Sequence, residues 1–330
     1  MRYVYLLFAL ALLSLWFCAR EPVAEPASSL WRNVYADSIH YVGMATCQSC
    51  HSNIHATFIQ TGMGRSFGTA HARRSDASFG THALVYDSLS DLYYFPYLRD
   101  SSLFIREFRL DAQGDTVHKR VEQVAYIIGS GHHTNSHLVN FNGYVYQAPI
   151  TYYTQEARWD MAPGFDEFNE RFGRLLTSEC LTCHNDYPQL AEGSQNRYNT
   201  MPEGISCERC HGPGELHVRD KLAGIIVDTA AGPDYSIVNP RRLPRDLQMD
   251  LCQRCHLQGI ALLEPGKTFY DFRPGMPLRE VFNVYLPRFT NSHEKFIMAS
   301  QADRLRLSNC YMQSEMSCLT CHNPHQSVQT

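Results

Sequence analysis

The pattern of hydrophobic and polar positions is typical of β-structure in the middle of the chain. Between residues 79 and 155, Tyr, Phe, Val and Ile recur in short runs, of which 83–86, 92–97 and 103–110 are examples. Short runs of aromatic and β-branched residues between turn-forming stretches predict strands. We therefore expect a small antiparallel sheet in this part of the chain.

Two β-hairpins are predicted within that region. The turn-forming stretch 111–115 joins the run 103–110 to the run 116–128. The dipeptide Asn142-Gly143 separates 138–141 from 144–153, and Asn-Gly is a favoured two-residue hairpin turn.

Helical periodicity is limited to short pieces elsewhere. Residues 165–176 place Phe168, Phe172, Leu175 and Leu176 on one side of a predicted helix. Residues 300–307 predict a second short helix.

The chain begins with a pattern that indicates export. An apolar run covers residues 4–17 and is followed at once by Cys18. The run is too short for a membrane span and predicts a signal peptide over residues 1–18, with Cys18 as the acylated residue of a lipoprotein. Ordinary cleavage a few residues later is the alternative. We expect residues 19–40 to form a tether. We also expect the protein to be exported across the inner membrane and to lie in the periplasm or be anchored at the outer membrane.

The composition adds an unusual number of metal-ligating residues. The 330 residues carry a formal net charge of −4, which does not suit a nucleic-acid-binding surface. Twelve Cys and 16 His are present. Ten of the cysteines form five Cys-x-x-Cys-His motifs, numbered 1 to 5 along the chain: Cys47-Cys50-His51, Cys180-Cys183-His184, Cys207-Cys210-His211, Cys252-Cys255-His256 and Cys318-Cys321-His322.

The spacing of these motifs explains their chemistry. Two thiols three residues apart can form thioethers with the two vinyl groups of one haem, and the adjacent His is then the proximal iron ligand. A zinc site does not require a His after every Cys pair. A thioredoxin-like site would occur once per domain. The sequence therefore predicts five covalently bound haem c groups.

Each haem that only carries electrons needs a sixth, distal ligand. His217 follows motif 3 after Gly-Pro-Gly, and His325 follows motif 5 after Asn-Pro, so these turns direct both side chains away from their own haem. His293 lies between motifs 4 and 5, and His132 represents a cluster with His133 and His137. These four are predicted distal ligands.

Met63 is the candidate distal ligand for motif 1, with His71 and His55 as alternatives. Cys310 has no partner at the haem spacing, and we expect a buried thiol there because free cysteines are usually buried.

The positions of the motifs divide the chain. We expect a first haem segment over 41–78, a β-rich insertion over 79–160 and a four-haem segment over 161–330. Because the porphyrins would form much of the core, the predicted fold is haem-cored. It would have little regular secondary structure beyond a small antiparallel β insertion.

The chain resembles the cytochrome c554 and c-prime family of multihaem cytochromes. The resemblance rests on Tyr41-Val42-Gly43, on residues 204–214 (GISCERCHGPG) with His217, and on residues 318–325 (CLTCHNPH). It implies a mostly helical, haem-cored fold with closely stacked haem pairs and a role in periplasmic electron transfer. It also implies that His217 and His325 are distal ligands of haems other than their neighbours.

Transfer of electrons between redox partners is the predicted function. The alternative is a multihaem oxidoreductase of the nitrite, hydroxylamine or tetrathionate type, which needs one haem with an open position. The Cys-x-x-Cys-Lys motif of nitrite reductases is absent, and the candidate distal ligands suffice for five haems. We expect redox proteins as donor and acceptor, such as another multihaem cytochrome or a membrane complex. We expect no nucleic acid partner, and membrane contact only through a lipid anchor.

Overall fold

The computed structural model describes residues 30–287, residue 290 and residues 299–328. Fourteen strands are found there: β1 Phe67–Thr69, β2 Val85–Asp87, β3 Leu92–Arg99, β4 Ser102–Leu110, β5 Thr116–Gln123, β6 Tyr126–Ile128, β7 Thr134–Phe141, β8 Tyr144–Tyr153, β9 Arg158–Met161, β10 Arg174–Leu175, β11 Gln189–Leu190, β12 Tyr198–Thr200, β13 Ile260–Leu263 and β14 Phe282–Tyr285.

The helices of the described part are short, with four to nine residues each. They are α1 Met44–Cys50, α2 Ser52–Phe58, α3 Ser178–His184, α4 Glu208–His211, α5 Glu215–Leu222, α6 Arg245–Gln253, α7 Gln301–Arg306, α8 Asn309–Met312 and α9 Cys318–Cys321. None of these helices is long and apolar enough to cross a membrane.

Two antiparallel sheets dominate the middle of the chain. Strands β2 to β5 form a four-stranded meander, and a six-stranded sheet has the order β1-β6-β7-β8-β10, with β9 also paired to β8. The pairs β11–β12 and β13–β14 form two further small sheets. Strands β1 and β10 lie on either side of the predicted insertion 79–160, so the six-stranded sheet includes segments from both flanks of it.

Both predicted hairpins are confirmed. Strands β4 and β5 pair around the turn at 111–115, and β7 and β8 pair around Asn142-Gly143. Asn142 has φ 54° and Gly143 has φ 93°, which is the left-handed backbone that a tight hairpin turn of this kind requires.

The prediction of a mostly α fold with a small β insertion is wrong. About 24% of the structure is helical and 25% is strand. Each haem-attachment motif requires only about one helical turn, so five motifs do not generate long helices. The β-rich region is also larger than predicted, because two sheets pack together and have a hydrophobic core of their own.

That core lies between the two sheets. Leu103 and Ile105 of β4 pack with Ile150 of β8 and with Trp159 of β9, and each of them is buried. The opposite face of the six-stranded sheet packs on α3: Leu138 and Val145 of the sheet form one cluster with Leu181 of the helix. The sheet thus supports motif 2 directly.

A further core surrounds motif 4 at the carboxyl-terminal side of the molecule. Trp31 and Val34, near the start of the described chain, pack with Val238, Phe272 and Phe282. Burial of large apolar side chains is the main favourable term in folding. This cluster therefore fixes the amino-terminal segment against the region of motifs 3 and 4.

The predicted helix over 165–176 is wrong, whereas the one over 300–307 is confirmed as α7. Residues 165–176 form a loop that ends in strand β10. Arg171 adopts a left-handed φ of 57°, and its guanidinium bonds to the buried carboxylate of Glu107 in β4. Asn169 donates to Asp87 at 2.7 Å. These polar contacts to the four-stranded sheet hold the segment in its loop conformation.

Candidate functional site

Each of the five motifs forms about one helical turn. The backbone N–H of the motif His donates to the carbonyl of the first motif Cys in motifs 1, 3, 4 and 5, at 2.9 to 3.0 Å. In motif 2 the corresponding residues lie within α3. Positions i, i+3 and i+4 share one face of a helix. Both thiols and the imidazole of a motif therefore project on the same side, as haem attachment requires.

The motifs also approach one another. The Cys207 thiol of motif 3 lies close enough to Cys47 of motif 1 to raise the pKa of the Cys47 thiol. The same kind of proximity links motif 2 to motif 4 and motif 4 to motif 5: Cys183 with Cys255, and Cys252 with Cys318. Motif 4 therefore has neighbours on two sides.

His217 lies opposite the motif 1 histidine. The ring centroids of His51 and His217 are 6.3 Å apart, with an interplanar angle of 22°. Nδ1 of His217 lies 3.2 Å from Ser236 Oγ and 3.3 Å from Asp234 Oδ2. A metal-binding His commonly donates its other ring N–H to a carboxylate in this way, which leaves Nε2 for the metal.

His325 lies opposite the motif 3 histidine. The ring centroids of His211 and His325 are 5.9 Å apart, and the two rings are nearly parallel at 6°. Nδ1 of His211 lies 2.8 Å from the carbonyl oxygen of Val238. Burial lowers the pKa of His211 to about 4 and also lowers that of His325. Both imidazoles are therefore neutral at pH 7, which is the form that binds metals.

The separation within each His pair fits a haem iron. Metal–nitrogen bonds of about 2 Å on each side, with about 1 Å from each nitrogen to its ring centre, place two trans imidazoles about 6 Å apart. Direct ring stacking would need no such gap. The residues of these two pairs therefore fit the group that the motifs predict.

Motif 2 borders a cavity of about 390 Å³. Its lining includes Cys180, Cys183 and His184 of the motif, together with Ser136 of β7 and Gln147 of β8. Nδ1 of His184 is buried without a hydrogen-bond partner, and burial lowers the pKa of this residue. The cavity and the neutral imidazole are compatible with a haem held at motif 2.

The other proximal candidates are less enclosed. His256 of motif 4 is exposed, with Nδ1 3.3 Å from Gln301 Oε1. His322 of motif 5 is exposed as well. Among the described residues, no three or more His, Cys, Asp or Glu side chains are grouped as a bare metal-ion site would require.

The remaining predicted distal ligands are not placed opposite a motif histidine by any described contact. His132 is half-buried, and a Cβ on Gly62 would lie 3.6 Å from its Nδ1, so His132 is close to the segment that contains Met63. His293 lies outside the described residues. His132, His293 and Met63 remain predictions.

Two further residues differ from what the sequence suggested. His137, part of the predicted cluster, lies fully buried with its ring 4.8 Å from that of Trp159, inside the core between the sheets. Cys310 is exposed, so the expectation of a buried thiol is wrong. It lies in α8, a single turn on the surface with no buried residue.

Sequence reasoning missed the residues that orient His217. Asp234 and Ser236 lie in the Gly- and Pro-rich stretch between motifs 3 and 4, where no local pattern points back to α5. Lys221 Nζ lies 2.7 Å from the same Asp234 carboxylate. Burial alone would raise the pKa of Asp234, but the hydrogen bonds from Lys221 and Ser236 outweigh this effect and lower it.

Comparison with known proteins adds a family match and two remote structural likenesses. Residues 156–212 match the family described as cytochrome c554 and c-prime. No curated protein matches the chain. The outer cell wall cytochrome OcwA is similar at 14% identity and a TM-score of 0.46, over 74% of this chain and 45% of its own. The undecahaem cytochrome from the S-layer of Carboxydothermus ferrireducens is similar at 16% identity and a TM-score of 0.34, over 91% of this chain and 41% of its own.

The chain spans less than half the length of either of these two cytochromes. The family match covers the helix of motif 2 and ends at the residue after His211 of motif 3. The resemblance to the cytochrome c554 and c-prime family is therefore confirmed, and residues 156–212 are the part of the chain that carries it.

Proposed function

We propose that this protein is an exported pentahaem c-type cytochrome that transfers electrons between redox partners. The observation that carries the proposal is the combination of five one-turn attachment motifs with two His pairs spaced about 6 Å apart. When bound, haem would supply one-electron transfer through its iron. The proximity of motifs 1 and 3, and of motif 4 to motifs 2 and 5, forms two groups of motifs. The hydrogen bond from Arg209 of motif 3 to the Thr182 carbonyl of motif 2 joins them, which supports a continuous series of neighbouring haems.

The chain's own residues would hold these groups in three ways. The ten motif cysteines would form the thioethers, and the five motif histidines would be the proximal ligands. His217 and His325 would be the distal ligands of the haems of motifs 1 and 3, respectively. His132, His293 and Met63 are proposed for the remaining haems.

Intact mass and a ferric spectrum test this proposal together. We expect the purified protein to exceed its mature polypeptide by five haem masses and to show mainly low-spin ferric haem. Four haems or fewer would remove at least one motif from the proposal. A spectrum dominated by high-spin haem would contradict the electron-carrier function.

The cavity at motif 2 favours a second candidate function. Its lining includes the polar residues Thr134, Ser136 and Gln147, and His184 is the one histidine among the described lining residues. An open position there would suit an oxidoreductase that binds a small polar substrate. A single high-spin haem that binds nitrite or hydroxylamine would support this function over simple electron transfer.

We also propose that Cys18 anchors the exported protein to a membrane through a lipid. Cys18 and the apolar run before it lie outside the described residues, and the support is their order in the sequence. Replacement by alanine (Cys18→Ala) should release the protein from the membrane fraction. An amino terminus mapped downstream of Cys18 would contradict the proposal.

A further inference from the structure

Two arginines occupy the same position in different attachment motifs and are almost fully buried. Arg209 in motif 3 and Arg254 in motif 4 are each the second residue between the two cysteines. Their exposed fractions are 1% and 2%. The other three motifs have Ser or Thr at this position, namely Ser49, Thr182 and Thr320.

Both arginines lie where motifs 2, 3 and 4 meet. The Arg209 guanidinium lies 4.8 Å and 5.0 Å from the ring centroids of Tyr187 and Tyr270, two rings that also contact each other at 5.8 Å. Its Nη2 donates to the backbone carbonyl of Thr182 and lies 3.2 Å from the Thr182 hydroxyl. The Arg254 carbonyl accepts a hydrogen bond from Cys183 Sγ at 3.9 Å. Motif 2 is thus bonded to motif 3 through Arg209 and to motif 4 through Cys183.

Several buried donors in this cluster have no acceptor. Nε and Nη1 of Arg209 and Nη1 of Arg254 are buried without a hydrogen-bond partner, as are the hydroxyl groups of Tyr187 and Tyr270. Arginine remains charged in proteins, and an unpaired buried charge costs several kcal/mol. The native protein must therefore supply an anion at this place.

The nearby carboxylates of the chain do not fill this need. Within the described ranges, no Asp or Glu forms an ion pair with Arg209 or Arg254. Glu208 instead accepts the backbone N–H groups of Val42, Gly43 and Gly214, each at 2.8 Å. The carboxylate of Asp186 accepts from the Ser206 hydroxyl.

We propose that Arg209 and Arg254 bind propionate carboxylates of the haems held at motifs 2, 3 and 4. This inference rests on the proposed haem attachment. A haem carries two propionates, and the planar guanidinium fork matches a carboxylate with two parallel hydrogen bonds. The hydroxyl groups of Tyr187 and Tyr270 can donate to the same carboxylates. The bound positive charges also offset the propionate charge near the iron, which favours the ferrous state.

Charge-removing variants of the full holoprotein test the assignment. Arg209→Met and Arg254→Met should each lower the midpoint potential of at least one haem by 59 mV or more. For a one-electron step, this shift corresponds to a tenfold decrease in the equilibrium constant for reduction. In protein with haem labelled by ¹³C at the propionate carboxyl carbons, the redox-induced infrared bands of those carboxylates should shift. Arg209→Lys and Arg254→Lys should retain most of the potential but still shift the bands, because lysine keeps the charge without the fork.

Arg219→Met is the matched control, because Arg219 in α5 has a side chain that is 70% exposed.

Intact mass separates failure of this inference from failure of the proposed function. A wild-type protein that carries fewer than five haems would contradict the proposed function. Five haems with variant potentials no different from Arg219→Met would overturn the arginine assignment alone. A lowered potential with unchanged propionate bands would overturn it too, and would indicate a buried inorganic anion instead. If the Met variants do not mature, unchanged bands in the Lys variants would overturn the assignment as well.

Discussion

At the scale of single residues, the hydrogen bonds around His217 make its predicted role open to a direct test. Its Nδ1 faces Asp234 and Ser236, and its ring lies 6.3 Å from that of His51, so Nε2 is the nitrogen available to a metal. An oriented, neutral imidazole is the form that binds a haem iron. Deleting it should remove one ligand without touching the thioether cysteines.

We therefore expect His217→Ala to retain five haems and to convert one of them from low-spin to high-spin. Added imidazole should restore the low-spin state, because the space left by the side chain would accept it. Absorption and electron paramagnetic resonance spectra measure both effects. His40→Ala is the matched control, since the His40 side chain is 73% exposed. Identical spectra for the two variants would rule out His217 as a ligand.

His137 offers a second prediction at this scale, because burial lowers its pKa to about 4. In the unfolded chain the pKa is about 6.5, so between these values the unfolded chain binds a proton that the folded chain does not. Stability should therefore be full above pH 6.5 and fall as the pH drops toward 4. The maximum loss from this one group is about 3 kcal/mol.

The variant His137→Gln should flatten that dependence. We expect the difference in unfolding free energy between pH 7 and pH 4.5 to shrink by about 2 kcal/mol, measured by urea unfolding followed by circular dichroism. The exposed His82 provides the control variant, His82→Gln. A pH dependence unchanged from wild type in His137→Gln would show that another buried group governs acid stability.

At the scale of elements, the sequence predicted structure well where the signal was local. The Asn142-Gly143 turn and the alternating strands beside it define the β7–β8 hairpin within about 20 residues. The attachment motifs are equally local, because thiol and imidazole positions within one helical turn follow from spacing alone. Both kinds of feature depend on neighbours in the chain.

Prediction failed where distant polar contacts decide the backbone. Residues 165–176 have a helical apolar pattern, yet Arg171 bonds to Glu107 and Asn169 to Asp87, both in the four-stranded sheet. Phe168, predicted to lie on the apolar side of that helix, is 71% exposed. The wrong fold class has a related cause: the packing of one sheet on the other depends on contacts such as Leu103 with Ile150, which no periodicity reveals.

At the scale of the whole molecule, the relative positions of the motifs were not predictable from the sequence. Motif 1 is far from motif 3 in the chain, yet Cys47 and Cys207 are in contact. The same holds for the approach of His325 to His211, which brings the last motif region beside the third. The sequence predicted that His217 and His325 point away from their own motifs, but not that they approach His51 and His211.

Motif 4 has a central position between two other motifs, because its cysteines lie next to those of motif 2 on one side and motif 5 on the other. Its helix α6 also packs against α7 and α9. Arg254 belongs to this motif and lies in the buried cluster with Arg209. Loss of the haem at motif 4 should therefore disturb more of the molecule than loss of the haem at motif 5.

We expect the double variant Cys252→Ser with Cys255→Ser to carry four haems and to lose roughly 10 °C or more in thermal midpoint, because attached haem contributes folding energy as a bound metal does. Its remaining haems should also exchange electrons more slowly. The haem at motif 4 would lie between those of motifs 2 and 5, and the variant lacks it. Cys318→Ser with Cys321→Ser is the control, with four haems and a smaller loss. Differential scanning calorimetry and the approach to redox equilibrium after a rapid partial reduction measure both effects. Equal losses in the two double variants would contradict the central position of motif 4.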